Sequence, residues 1–306
     1  MMYLLLIVGF FLLIKGADYF VEGSSAIAKL LKVPPVVIGL TIVAMGTSAP
    51  EAAVSITAGL AGSNDLALSN VIGSNIFNLV LIVGICALIR PFIIDKAIMQ
   101  RDFPIAILGS VLLLFFIRDS HLSRIEGIVL LCLMALYLVM TVISAIRNPI
   151  DIDIQDRYLP MHTSLMYIGL GLAAIIFGGD LVVDNACRIA AAFGLSETLI
   201  GLTIVAIGTS LPELVTSITA SRKGESGLAL GNVVGSNIFN IMFILGLSST
   251  VHPIAAEPVA FMDILILIAI TTVIYVFCRI RSQMGRLMGS LCVAAYVIYS
   301  VYIIIR

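Results

Sequence analysis

Apolar residues in this chain come in long blocks rather than in narrow helical stripes or strand-like alternation. A bilayer core needs about 20 apolar residues per helix. Blocks of that size are predicted at 2–31, 34–60, 66–89, 102–118, 123–147, 162–193, 196–221, 227–250, 259–279 and 287–305. Polar punctuation between them is short. The one real linker is "NPIDIDIQDRYLPMH", proline-flanked and near the midpoint. It divides the chain into 1–147, a linker at 148–161, and 162–306.

The two halves repeat. Gly46 matches Gly208, Glu51 matches Glu213 and Asn78 matches Asn240, all at an offset of 162 without gaps. "IGLTIVA" and "GSNIFN" each occur twice, starting at Ile38 and Ile200 and at Gly73 and Gly235. Such identity marks a duplicated unit. Five spans per unit means that the second copy enters the membrane from the opposite face, as in many secondary transporters. The predicted fold is therefore an all-α polytopic membrane protein, ten transmembrane helices arranged as two inverted five-helix repeats.

Basic residues orient it. Alternate loops, beginning with the first, carry Lys29, Lys32, Arg90, Lys96, Arg101, Arg147, Arg157, Arg222, Lys223, Arg279, Arg281 and Arg286. The opposite side carries Arg118, Arg124, Arg188 and Arg306. The basic side is expected in the cytoplasm of a plasma membrane, with both termini outside.

Composition agrees with the spans: 60% of the 306 residues are hydrophobic and 11% charged. A net charge of −1 gives no sign of a nucleic-acid partner. Cys86, Cys132, Cys187, Cys278 and Cys292 fall in apolar spans without ligand spacing and read as small core residues. "MMYLLLIVGFFLLIKGADYF" lacks a basic start and a small-residue cleavage site, and reads as the first span. No nucleophile–base pair points to an enzyme; His121, His162 and His252 fall near loops.

The candidate chemistry lies in the second and seventh spans. Glu51 and Glu213 sit past their middles, where a charged side chain costs at least about 2.5–3.5 kcal/mol. Two ionised carboxylates related by a repeat would also repel each other, and a cation between them removes both penalties. The bland alternative is a protonated or hydrogen-bonded structural pair. Gly46 and Pro50 weaken the helix before Glu51, which is expected to free carbonyls near Ala44 and Met45, and likewise near Ala206 and Ile207. Thr47, Ser48, Thr209 and Ser210 add hydroxyl oxygens. An all-oxygen set suits a hard cation such as Ca²⁺. A single Gly-Thr-Ser would read as helix packing; two copies, each with a glutamate, shift the balance.

The third and eighth spans carry "SNVIGSNIFN" and "GNVVGSNIFN". Ser74 shares a helix face with Asn78, and Ser236 with Asn240. Asn78 and Asn240 are expected near the ions. Asn75 and Asn237 stand evenly between ligand and scaffold. Lys15, Asp18 and Glu22 in the first span, with Asp180 and Asp184 in the sixth, are weaker signals: Lys15 and Asp18, three residues apart, are read as neutralising each other, and an access-pathway role on these long helices is the alternative.

At Gly46-Thr47-Ser48-Ala49-Pro50-Glu51 with Gly73-Ser74-Asn75-Ile76-Phe77-Asn78, and again at Gly208–Glu213 with Gly235–Asn240, the chain resembles the calcium/cation antiporter superfamily, specifically prokaryotic sodium/calcium exchangers. The likeness covers essentially the whole chain. It implies that helices 2, 3, 7 and 8 surround one Ca²⁺ site and flanking Na⁺ sites, and that Glu51 and Glu213 bind the two ions in alternation. Thr47, Thr209, the carbonyls of Ala44 and Ala206, Ser48, Ser74, Ser210 and Ser236 would complete the coordination. It also implies that the long first and sixth helices slide against the core. Some relatives carry Asp where Asn240 stands; here the core has two carboxylates, which leaves ion stoichiometry and any K⁺ or proton dependence open.

The function expected is Ca²⁺/Na⁺ antiport by alternating access, without a cofactor. Its partners are small inorganic cations and the lipid bilayer, and a monomer suffices. A Ca²⁺/H⁺ antiporter using the same glutamates is the nearest rival, and a passive cation channel the rival of a different class.

Overall fold

The computed structural model describes residues 1–60, 64–149, 159–194, 204 and 206–305. Most of the linker 148–161, and the seventh span from 196 to 203 with residue 205, lie outside the described residues, as does much of the second "IGLTIVA".

The long helices in chain order begin with α1 (Met2–Leu30). A bent pair follows, α2 (Pro35–Thr47) and α3 (Ala49–Leu60), and then α4 (Leu66–Ile89), α5 (Ile98–Asp119), α6 (Arg124–Arg147) and α7 (Met161–Ala192). The short α8 (Ala206–Thr209) leads into α9 (Leu211–Lys223). The last three are α10 (Ser226–Val251), α11 (Pro258–Arg281) and α12 (Arg286–Ile305). Among the described residues, eight helices are long and apolar enough to cross a membrane, and the α2–α3 pair is a ninth candidate bent by 49°. This is a polytopic helical membrane protein.

Local chemistry sets several boundaries. Ser123 and Glu126 form a reciprocal capping box at the start of α6. Prolines occupy the first turns of α2, α9 and α11, where a missing N–H costs no helical hydrogen bond. Gly224, at φ +84, ends α9 in the left-handed conformation that L residues avoid. The α6 surface carries exposed Ile125, Leu136, Val139 and Ile146, an apolar exterior that suits lipid.

The centre is α10, where every residue from Leu228 to Met242 is buried. α4 is the next most enclosed helix. At the periphery, α1 and α7 run against each other backbone to backbone. A Cβ at Gly9 would stand 2.9 Å from the Gly178 carbonyl oxygen, one at Gly16 2.8 Å from that of Gly171, and one at Gly23 2.7 Å from that of Ser164. The seven-residue spacing keeps these small positions on one seam.

Two short ladders tie interhelical loops. β1 (Phe92–Ile93) pairs with β4 (Gln283–Met284), and β2 (His121–Leu122) with β3 (Ile254–Ala255). Adding 162 to the first strand of either ladder gives the second strand of the other, so the contacts recur with their halves exchanged.

Several charges away from the centre are paired. Asp102 is fully buried and accepts from Arg101 Nε at 2.7 Å and from the Tyr137 hydroxyl at 3.3 Å. Asp18 lies 3.4 Å from Lys223 Nζ and 4.0 Å from Lys15 Nζ, so the end of α9 supplies a closer partner than the neighbour on its own helix. All five cysteines are free thiols. Cys86, Cys278 and Cys292 are buried as expected, but Cys132 is exposed on α6 and Cys187 is half-buried; an apolar span places a thiol in the membrane, not in the protein core.

The α1–α7 seam generates a sharp expectation. Gly16→Ala pushes a methyl into backbone and costs about 1–3 kcal/mol by overpacking, whereas Gly169 on α7 has nothing within 4 Å of its Cβ position. Thermal unfolding in detergent should show a lower midpoint for Gly16→Ala and an unchanged or raised one for Gly169→Ala. Equal shifts would contradict the close seam.

Candidate functional site

Each glutamate follows a helix break. Ser48 sits between α2 and α3 at φ −82, ψ 9, and Ser210 between α8 and α9 at φ −91, ψ 7. Both lie in the sparsely allowed bridge region, two residues ahead of a proline. A π-helical turn at Gly39–Val43 precedes the first break. Two more interrupt α4 at Phe77–Ile82 and α10 at Asn240–Leu245, at the end of the "GSNIFN" repeated in both halves. π turns concentrate at functional sites.

The breaks let each serine reach across to the other half. Ser48 Oγ donates to Glu213 Oε1 at 2.8 Å, and Ser210 Oγ donates to Glu51 Oε1 at 2.9 Å. Ser74 Oγ lies 3.1 Å from Ser210 Oγ, which brings α4 to the same point. Both glutamates, both serines and Thr47 are fully buried. The second carboxylate oxygen of each glutamate, Oε2, is buried without a hydrogen-bond partner. Neither carboxylate has an ion-pair partner among the described residues.

The asparagines split by role. Asn75 Nδ2 donates to the Asn237 carbonyl at 3.1 Å, and Asn237 Nδ2 returns the bond to the Asn75 carbonyl at 3.0 Å. This reciprocal bridge joins α4 to α10. Asn240 Nδ2 adds a bond to Asn75 Oδ1 at 3.0 Å. Both ends of the Asn75 amide are thereby hydrogen-bonded. Asn237 keeps a buried Oδ1 without a partner, and so do Asn240 and Asn78. Ser236 Oγ and Thr209 Oγ1 are likewise buried and unpartnered. Leaving so many buried oxygens unsatisfied costs about 1–3 kcal/mol each unless something else binds them.

One expectation needs correction. The Ala44 carbonyl accepts the Ser48 N–H at 3.0 Å, and the Ile207 carbonyl accepts the Ser210 N–H at 3.2 Å. These carbonyls are not released by the helix breaks. The proline at 50 removes the donor four residues after Gly46, so the deprived carbonyl is that of Gly46, one residue beyond Met45. Ala44 and Ile207 each retain a second lone pair.

Sequence reasoning missed Asn232, Ser217 and their counterparts. Asn232 is fully buried, donates to Ser217 Oγ at 2.9 Å and accepts from Thr47 Oγ1 at 3.0 Å. Asn70 donates to Ser55 Oγ at 3.0 Å. The signal was present: Asn70 and Asn232, and Ser55 and Ser217, obey the same 162-residue offset. Asp18 and Glu22 belong to the α1–Lys223 surface, and Asp180 and Asp184 are exposed on α7.

Such a centre is built for hard cations: oxygen atoms only, two carboxylates, and no thiol or imidazole among its members. The known proteins that resemble the chain agree. The chain is 44% identical over 254 residues to the putative antiporter CaxA of Alkalimonas amylolytica, covering 81% of this chain and 80% of that protein. It is 33% identical to the sodium/calcium exchanger MaX1 of Methanosarcina acetivorans, over 98% of this chain and 97% of the other. A solved structure of the sodium-calcium exchanger NCX_Mj, soaked with zero Na⁺ and Ca²⁺, superimposes with a TM-score of 0.88 at 35% identity, covering 99% of this chain and 98% of that one. The family model for sodium/calcium exchanger proteins matches residues 1–143 and 163–305, and the chain belongs to that family.

Proposed function

We propose that the chain exchanges Ca²⁺ for Na⁺ by alternating access, with Glu51 and Glu213 as the shared charge. The observation that carries this reading is the crossed Ser–Glu pairing, which leaves one unpartnered oxygen on each buried carboxylate. Two negative charges are balanced by one Ca²⁺ or by two or more Na⁺, so the ions compete for one electrostatic well. An empty site resists occlusion because uncompensated carboxylates are costly in a low dielectric. That couples the two fluxes and suppresses leak.

In this proposal Ser48, Ser210, Ser74, Ser236, Thr47 and Thr209 add hydroxyl ligands, Asn78 and Asn240 add amide oxygens, and Ala44 and Ala206 add carbonyl lone pairs. Asn237 joins them through its open Oδ1, while Asn75 braces the pair. Support comes from buried oxygens on Asn78, Asn240, Ser236 and Thr209 that have no hydrogen-bond partner. The ligands are the cargo, and no resident cofactor is invoked. A single copy of the chain holds every proposed ligand, so a monomer is the proposed unit.

We also infer ten helices in two inverted five-helix units. The exchange of partners between the two ladders, and between the two Ser–Glu bonds, supports that arrangement. With the basic loops in the cytoplasm, both ends of the chain face outward from a plasma membrane. An impermeant label attached to a cysteine placed after Arg306 should then react in intact cells; reaction only after lysis would reverse the orientation.

With one net charge moved per cycle, the potential contributes about 2.3 kcal/mol per 100 mV and favours Ca²⁺ extrusion from a negative interior. Proteoliposomes loaded with Na⁺ should take up ⁴⁵Ca²⁺ when diluted into Na⁺-free medium, and a pH gradient alone should not drive uptake. Uptake driven by protons alone would instead identify a Ca²⁺/H⁺ antiporter, and conductance without any counter-ion a channel. Combined Glu51→Gln and Glu213→Gln should lower the Na⁺-driven flux to background. Undiminished flux in that variant would remove the two carboxylates from the mechanism.

A further inference from the structure

The two halves of the site share their residues but not their hydrogen bonds. Thr47 Oγ1 stands 3.0 Å from Asn232 Oδ1 and 3.1 Å from the Val43 carbonyl. Asn232 is itself fixed, donating to Ser217 Oγ at 2.9 Å. It thus links α2, α9 and α10 at one point. Shifting each residue by 162 exchanges the halves: Asn70 stands for Asn232, Ser55 for Ser217 and Thr209 for Thr47. Asn70 is held by Ser55 in the same manner, at 3.0 Å. Yet Thr209 Oγ1 is buried without a partner, so the last bond of the triad is made on one side and unmade on the other.

On the side where the bond is made the packing is close. A Cβ at Gly235 would stand 2.7 Å from Leu40 Cα and 2.9 Å from Ala44 Cβ, so α10 touches the backbone of the helix that carries Thr47. Thr47 and Asn232 are fully buried, whereas Thr209 and Asn70 are half-buried.

We propose that Asn232 and Asn70 are positioning residues that work in turn. Asn232 clamps Thr47 in the state seen here and shuts that flank of the site; in the opposite state Asn70 accepts from Thr209, and Thr47 is released. Neither asparagine needs to touch the ion. Each acts through the threonine hydroxyl, which has one proton and cannot donate it to two acceptors at once. Clamping therefore turns the hydroxyl proton away from the ion and leaves a lone pair free for it. The proposal rests on the antiport reading of the site, since it supplies the alternation that exchange requires.

The test is amide hydrogen exchange, read by mass spectrometry on the full chain in lipid nanodiscs, over residues 43–48 and 206–210. Loss of one hydrogen bond shifts a two-state balance roughly five-fold. Asn232→Ala, and the milder Ser217→Ala if the former folds poorly, should speed exchange at 43–48 and slow it at 206–210. Asn70→Ala and Ser55→Ala should leave 43–48 as protected as in the unaltered protein and leave 206–210 as open or more so. All four should slow Na⁺-driven Ca²⁺ flux while both glutamates remain. The same change at both segments in both sets of variants, or unaltered protection at 43–48 in Asn232→Ala and Ser217→Ala, overturns the clamp. Failure of the antiport reading would show separately, as absence of counter-ion-driven flux in the unaltered protein, because hydrogen exchange is read without transport.

Discussion

Two carboxylates buried in a membrane protein, each hydrogen-bonded by a serine of the opposite half and without a basic partner among the described residues, set the constraint on which the rest of the structure depends. Glu51 and Glu213 are held by Ser210 and Ser48, each from the opposite half of the chain. One hydroxyl does not replace the hydration of a carboxylate, and the second oxygen of each group is left without any bond. The protein does not neutralise this charge with Lys or Arg as it does elsewhere, at Asp102 with Arg101 and at Asp18 with Lys223. Carboxylates without a basic partner among the described residues, in a chain that pairs Asp102 and Asp18, support the proposal of a site completed by its cargo.

The rest of the architecture serves that centre. Helix breaks at Ser48 and Ser210 turn the serine hydroxyls across the interface, which a continuous helix would not do. The buried stretch of α10 from Leu228 to Met242, the reciprocal Asn75–Asn237 bridge and the π turns in α4 and α10 hold the surrounding oxygens. The glycine-lined α1–α7 pair stands outside the site, with backbones close enough to act as one element.

Much of this was legible in the sequence. Apart from the seventh span, half of which lies outside the described residues, the apolar blocks match the helices within a few residues, because a bilayer tolerates little else across its core. The repeated Gly-Thr-Ser-x-Pro-Glu named the glutamates and serines. What was not legible concerns direction and state. Periodicity puts Ser48 near Glu51 on one helix, but it does not reveal that Ser48 bonds Glu213. The proline rule located a weak point yet misplaced the deprived carbonyl, because the chain bends at Ser48 and keeps the Ala44 bond. Asn70 and Asn232 were passed over as ordinary polar residues of a motif, although they repeat as faithfully as the glutamates. The difference between a hydrogen-bonded Thr47 and an unpartnered Thr209 has no counterpart in the Thr, Asn and Ser of the two triads, which are the same letters in both halves.

The central claim is that a bound cation relieves the repulsion and desolvation of this glutamate pair. Thermal unfolding of the purified chain, with Na⁺ and Ca²⁺ first removed and then restored, tests it most directly, since a ligand that binds only the folded state raises the midpoint. The account predicts a saturable rise with either ion in the unaltered protein. It also predicts that the doubly glutamine-substituted chain starts higher in ion-free buffer and no longer responds. An unaltered protein indifferent to both ions, or a double variant that responds as the parent does, would contradict it.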